Sequence, residues 1–237
     1  MILVSFFLAC LRYPTEDYRV DEINLYYYVS AEDLEEATVH VRLRLDHSPY
    51  MDDMILSDED SLYVEHDGGS YVLDEEDSTK LILTDVLYTK TIPYSDLTKP
   101  FTLVFDRPSG QYRTDVYLSD DFSVSVQNDE PFAFSSDEYI PVDVRWTSIQ
   151  NASELWISVR DTDCAGYSSI SPVENTGQAQ IDICLYEPFE QVGLTDLFCP
   201  VKVYVSAQTR GYATDFQDSY VRGYQRRFSL LKVLYIP

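Results

Sequence analysis

The chain has 237 residues, 45% of them hydrophobic and 24% charged, and a formal net charge of −24. That length supplies one large or two ordinary domains, each able to bury a core, and the composition excludes wholesale disorder. The charge argues against a nucleic-acid binder, because a phosphate backbone repels such a surface; it suits solubility, divalent cations or basic partners.

The first ten residues read Met1-Ile2-Leu3-Val4-Ser5-Phe6-Phe7-Leu8-Ala9-Cys10. They are too few to span a bilayer and fit the apolar core of a secretory signal peptide, without its basic start. Phe7-Leu8-Ala9-Cys10 resembles the lipobox of bacterial lipoproteins, where a small residue precedes the cysteine that is cleaved and lipidated. The resemblance implies lipid attachment at Cys10, residues 1–16 as a signal remnant and tether, Leu11 to Glu16 without regular structure, and export. The competing reading is a buried first strand with an ordinary core cysteine.

Twenty tyrosines, with frequent Val and Thr, favour strands, and the chain order bears this pattern out. Tyr18 to Val29, with Tyr26-Tyr27-Tyr28, reads as a first strand, and Ala31 to Glu36 as one acidic helical turn at most. Thr38 to Asp46 alternates cleanly, with Val39, Val41, Leu43 and Leu45 on one face and His40, Arg42 and Arg44 on the other. Ser61 to His66 and Ser70 to Leu73 flank Asp67-Gly68-Gly69, a hairpin signal. Further strands are expected at Leu81 to Ile92, Phe101 to Asp106, Asp115 to Leu118 and Phe122 to Val126.

Gln127-Asn128-Asp129-Glu130-Pro131 then breaks the pattern and marks a domain boundary. Strands resume at Tyr139 to Trp146, Glu154 to Arg160 and Gln180 to Tyr186. Two long ones close the chain: Cys199 to Gln208, with Val201, Val203, Val205 and Ala207 alternating with polar residues, and Tyr220 to Ile236. Short strands between turn signals, with no helical blocks, predict an all-β fold. The expected architecture is two consecutive β-sandwich domains, 17–127 and 132–237, immunoglobulin-like in layout. They are not antibody-type domains, because Trp146 and Trp156 both precede Cys164, Cys184 and Cys199.

Candidate chemistry is sparse. Loops starting at Asp58 or Asp161 fail the EF-hand pattern at the twelfth position, which is Gly69 or Pro172. The acidic run from Asp46 to Asp77 therefore reads first as a solvated charge run, with a looser calcium site between loops as the lesser reading. No C-x-x-C or H-E-x-x-H offers zinc a site, and no cofactor is expected. There is no G-x-S-x-G; Ser109 reads as a turn residue, and His40, His47 and His66 as surface or loop histidines. No motif meets the requirements of a catalytic site, so the chain is read as not an enzyme, with a pair of carboxylates able to cleave a glycoside as the lesser reading.

Tyr26, Tyr27, Tyr28, Tyr71, Tyr88, Tyr94, Tyr112 and Tyr117 suggest either a sugar-stacking platform or, preferred here, ordinary sheet filling. In an exported protein a disulfide is expected in the second half. Cys164 ends a strand before a loop and Cys199 opens the next long strand, so they are paired, with Cys184–Cys199 as the alternative. Cys184 then packs as a small thiol. Asn151-Ala152-Ser153 matches a glycosylation acceptor.

The lipobox-like start, the hairpin from Ser61 to Leu73, the stretch Phe101 to Arg107, the strand Asp115-Val116-Tyr117-Leu118 and the ending Gly223, Gln225, Arg227 together resemble the uncharacterised two-domain lipoproteins of Gram-negative bacteria. Ser119 stands where that group has proline. The resemblance implies a β fold and an envelope location, at the outer membrane or in the periplasm, and implies no known activity. The function expected is that of a non-enzymatic cell-envelope lipoprotein. It would be membrane-attached by a lipid anchor, with an envelope protein or a glycan as partner and no nucleic acid. The alternatives are a carbohydrate-binding module and, behind it, a secreted hydrolase.

Overall fold

The computed structural model describes residues 13–32, 35–45, 52–80, 83–127, 130–160, 165, 168–185 and 197–236. The fold is all-β; among the described residues the only helical elements are two three-residue 3-10 turns. The chain divides into two compact units, one of Met1–Val29, Glu35–Tyr117 and Arg210–Arg222, the other of Ser30–Leu34, Leu118–Thr209 and Gly223–Pro237. The break thus falls between Tyr117 and Leu118 rather than at 127–131, and 210–222 is counted with the first unit.

The first unit contains β1 (Tyr13–Pro14), most of β2 (Ile23–Ala31), β3 (Glu36–Leu45), β4 (Asp52–Ile55), β5 (Ser61–His66), β6 (Gly69–Val72), β7 (Asp74–Lys80), β8 (Leu83–Pro93), β9 (Phe101–Arg107) and β10 (Gly110–Val116). β3 pairs with β2 on one side and with β4 and β8 in succession on the other, while β1 runs parallel to β4. A second sheet has the order β10-β9-β5-β6. The alternation read in β3 is observed: Val39, Val41, Leu43 and Leu45 are buried and His40, Arg42 and Arg44 half-buried. With Leu25, Tyr27 and Val29 of β2 and Leu62, Val64, Leu103 and Phe105 of the other sheet, they are part of the buried core. The buried Tyr27 hydroxyl ties the sheets by donating to the Phe101 carbonyl at 2.9 Å. Asp67 and Gly68 both have positive φ, 46° and 78°, which is what a two-residue hairpin turn matching the strand twist requires.

Several expectations change here. Tyr13 to Glu16 are not an unstructured tether: Tyr13 and Pro14 form β1, and Thr15 is fully buried. The Thr15 hydroxyl donates to Asp60 and accepts from the Ser57 backbone N–H at 3.1 Å. Ala31 and Glu36, expected at the ends of a helical turn, lie in β2 and β3. The acidic run is not uniformly solvated. Asp53 is buried between Arg44 (2.5 Å) and Arg42 (3.4 Å) and accepts from the Val86 N–H. Asp60 is buried against Arg107 at 3.2 Å. Asp74–Lys80 forms strand β7, which pairs only with β8 among the described strands. Sequence period misses such a strand because backbone pairing, not an apolar face, holds it, and its charges suit an edge.

Arg107 is the knot of this unit. Its Nη2 donates to the Thr15 carbonyl at 2.6 Å, its Nη1 to the Tyr18 carbonyl at 2.8 Å, and its Nε faces the Asp60 carboxylate. The guanidinium also lies over the Phe105 ring at 5.2 Å. One side chain therefore fastens the entering chain and the loop before β5 to the end of β9.

The second unit contains β11 (Val124–Val126), β12 (Phe132–Phe134), β13 (Glu138–Trp146), β14 (Glu154–Arg160), β15 (Ser168–Val173), β16 (Gln178–Leu185), and most of β17 (Leu197–Gly211) and β18 (Asp218–Tyr235). A β11-β13-β16 sheet and the strands β18-β17-β14-β15 enclose one core. Ile140, Val142 and Val144 of β13 and Ile181, Ile183 and Leu185 of β16 belong to it. So do Ile157 and Val159 of β14, Val201, Val203 and Val205 of β17, and Leu231 and Val233 of β18.

The ending Gly223, Gln225, Arg227 acts here as a latch. Gln225 and Ser119 are both fully buried. With its nitrogen toward Ser119, the Gln225 amide donates to Ser119 Oγ at 3.0 Å and to the Ser119 carbonyl, while its oxygen accepts from Arg227 Nη2 at 2.8 Å. Arg227 also donates to Asp121 at 3.0 and 3.1 Å. The segment that opens this unit is thereby pinned to its last strand.

Breaking a buried ion pair from one side leaves an uncompensated charge and costs about 3–5 kcal/mol. Arg107→Met is therefore expected to destabilise the chain by about that much in urea titrations. Arg107→Met with Asp60→Leu should recover most of the loss. A single variant with unchanged stability would show that the knot is dispensable.

Candidate functional site

Of the residues singled out in the sequence, Cys10, His47 and Cys164 lie outside the described residues. Cys199 is buried and is not a free thiol. Cys184 is free and half-buried, and sits across from Tyr139 of the neighbouring strand. Ser109 occupies the turn between β9 and β10, as expected. His66 is not a surface residue: it is buried, stacked on Phe101 at 3.9 Å, with Nδ1 3.0 Å from the Pro100 carbonyl. His40 is half-buried on β3, and desolvation lowers its pKa.

The tyrosines of the first half do not gather into a platform. Tyr27, Tyr88 and Tyr94 are buried, Tyr117 is exposed, and Tyr26, Tyr28, Tyr71 and Tyr112 are half-buried. Burial pushes the Tyr27 and Tyr88 phenols up, so both stay protonated. They are filling. The local exception is a small cluster in which the Tyr220 ring lies 5.4 Å from Tyr28 and 6.5 Å from Tyr26, with Arg222 over Tyr220 at 4.0 Å.

Among the described residues, no group of three His, Cys, Asp or Glu side chains converges as a metal-ligand set. The buried charges Asp53, Asp60 and Arg107 are taken up in internal pairs, so they build structure rather than a reactive centre.

A surface of different character lies on the outer face of the second unit. β14 is paired with β17 so that Trp156 faces Ser206 and Ser158 faces Tyr204. Strand alternation sends Leu155, Ile157, Val203 and Val205 inward and the residues between them outward. β18 borders β17 on its other side. There the Phe228 ring packs on Tyr204 at 5.5 Å, with Lys202 Nζ over it at 5.1 Å. Arg226 donates to Ser206 at 3.2 Å and to Glu32 at 2.7 Å, and covers the Tyr204 ring. Trp156 remains 38% exposed, Phe228 45% and Leu230 49%. Three large apolar side chains are thus partly exposed on the two strands that flank β17, Trp156 on β14 and Phe228 and Leu230 on β18. Tyr204 and Ser206 are buried between them, and Lys202, which has no carboxylate partner among the described residues, lies beside Phe228.

None of these positions was singled out in the sequence as part of a site. The available signal was the second phase of the alternation. Lys202, Tyr204 and Ser206 interleave with the valines of β17, and Trp156 sits between Leu155 and Ile157. Only the order β18-β17-β14 brings the three outward rows together, and that order is not local information.

No family model and no curated protein matches the chain. Among solved structures, the three-domain immunoglobulin ectodomain of mouse nectin-like molecule 4 matches at 8% identity and a TM-score of 0.27. That match covers 92% of this chain and 66% of that one, just under two thirds of its length. A titin immunoglobulin tandem matches at 9% identity and a TM-score of 0.25, covering 87% of this chain and 96% of that one. Likenesses of that size carry no argument; the all-β assignment rests on the sheets themselves.

Proposed function

We propose that the protein is a non-enzymatic module of the cell envelope that acts by contact, through the outer face of its second unit. The observation that carries this reading is the exposure of Trp156, Phe228 and Leu230 together on one sheet face. Aromatic and aliphatic side chains grouped in water mark contact surfaces more often than catalytic ones. Protein or envelope contacts are the leading use of that face. A glycan is the second reading, favoured by the partly exposed rings of Trp156 and Phe228, since aromatic rings stack on apolar sugar faces.

Trp156 and Phe228 are both more than half buried, so truncating them costs about 1–2 kcal/mol each, less than the stability of an ordinary domain. Trp156→Ala with Phe228→Ala should therefore fold as the parent does while losing most of its retention on isolated envelope fractions. Release of the parent by soluble envelope polysaccharide would favour the glycan reading, and release only after protease treatment of the fractions the protein reading. Full retention by the double variant would remove this face from consideration.

The envelope location is part of the proposal and rests on Cys10. One acyl chain anchors only marginally, at about 0.8 kcal/mol per buried methylene, so stable attachment needs several chains. Expressed with its natural upstream DNA, the protein should take up labelled fatty acid and fractionate with the outer membrane. Cys10→Ala should abolish both, and an unchanged result would overturn the anchor.

A Cys164–Cys199 disulfide completes the proposal. It is supported by Cys184 being a free thiol while Cys199 is not. Closing a loop of some 35 residues stabilises a domain by about 3–4 kcal/mol. Mapping of non-reduced peptides should return Cys164 linked to Cys199, whereas a Cys184-containing bridge would refute the pairing.

A further inference from the structure

A cleft of about 470 Å³ opens in the first unit beside the Arg107 knot, within the size range of small-ligand sites. Its aromatic lining is Tyr18 and Tyr112, and its charged lining includes Glu16, Arg19, Asp21 and Asp215. The rings are held by their neighbours. Tyr13 meets Tyr18 edge-on at 6.3 Å, and Phe105 packs against Tyr112 at 6.4 Å.

The charges sort themselves by what is already engaged. The Arg107 guanidinium is taken up by Asp60 and two carbonyls, and Arg19 is paired with Asp21 at 2.5 Å. Glu16 and Asp215 are exposed, and neither has a cationic partner among the described residues. What remains unpaired in the cleft is therefore negative, beside two tyrosine side chains. The Tyr18 phenol is held above its ordinary value by desolvation first, then by Tyr13, Asp17 and Glu22, none of which lines the cleft. Carboxylates and aromatic faces together select an organic cation, by charge pairing and by attraction to the ring quadrupole.

We infer that this cleft binds an organic ammonium ion, a free amine or the side chain of a partner's lysine, seated between Tyr18 and Tyr112 and paired with Glu16 and Asp215. The site is separate from the outer face of the second unit and stands whether or not that face binds anything.

The test uses the full chain at about 0.15 M salt, where long-range attraction to a surface of this charge is largely screened. Titration with 1,4-diaminobutane should show saturable one-to-one binding, and the neutral 1,4-butanediol should not bind. Glu16→Gln with Asp215→Asn should weaken the diamine about tenfold or more, roughly 1.4 kcal/mol or above. Arg19→Ala, which frees Asp21, should tighten it. Tyr112→Leu, with folding checked by near-ultraviolet circular dichroism, should weaken it several-fold. Glu75→Gln with Glu76→Gln, on strand β7 outside the cleft's lining, is the control and should leave binding unchanged. An N-acetylated Gly-Lys-Gly amide that binds more tightly than the diamine assigns the ammonium to a partner's lysine, and weaker binding assigns it to a free amine. Equal binding of diol and diamine, an unaffected Glu16/Asp215 variant, or an equal loss in the Glu75/Glu76 control would overturn the inference.

Discussion

The buried contact between Arg107 and Asp60 is the constraint on which the first unit depends. Two charged side chains, 7% and 2% exposed, sit 3.2 Å apart, and neither is tolerable there alone, because desolvating a single ion costs several kcal/mol. The remaining guanidinium hydrogens are directed at two backbone carbonyls of the entering chain, and Thr15 supplies a further donor to Asp60. Such a network fixes register as well as contributing energy. It brings residues 15, 18, 57, 60 and 107 to one point and sets the start of β2 and the start of β5 relative to β9.

The second unit solves the same problem with neutral groups. Its opening segment is held by the amide of a fully buried glutamine, and the one guanidinium involved sits nearer solvent with Asp121 as partner. A buried amide is satisfied by hydrogen bonds alone, so the latch carries no buried net charge. The residues that suggested a family resemblance at the chain's end are thus accounted for by packing. Their role in the fold is structural, whatever the protein contacts.

The distribution of the acidic residues follows from these local solutions. A formal charge of −24 does not mean a uniformly repulsive surface. Asp53 and Asp60 are buried and neutralised, Asp74 and its neighbours decorate an edge strand, and Glu16 and Asp215 border a cleft. Each position has a different physical consequence: core pairing, suppression of edge-to-edge strand addition, and a local potential that attracts cations. On the outer face of the second unit the balance reverses, with Lys202 and Arg226 lying over aromatic rings.

The strand-rich composition and the period-two patterns of Thr38 to Leu45, Tyr139 to Trp146 and Cys199 to Gln208 were sufficient, by themselves, to determine an all-β fold and most of its core. Alternation is local: each inward valine is specified by its own two neighbours. The Asp67-Gly68 turn was equally legible, because few residues tolerate its positive φ. What the sequence does not carry is any pairing between distant residues. Nothing in Asp53, Asp60 or Arg107 taken singly says that they are buried, since a charge is stable inside only if the fold brings its partner to it, across 9 and 11 residues for Asp53 and 47 for Asp60. Strands β4 and β7 were hidden for the same reason, being held by neighbours rather than by an apolar period. The outer face of Trp156, Tyr204, Phe228 and Leu230 and the cleft beside Arg107 were decided by tertiary structure alone. Both depend on which strands and turns lie side by side, and sheet order is set by the packing of the whole core.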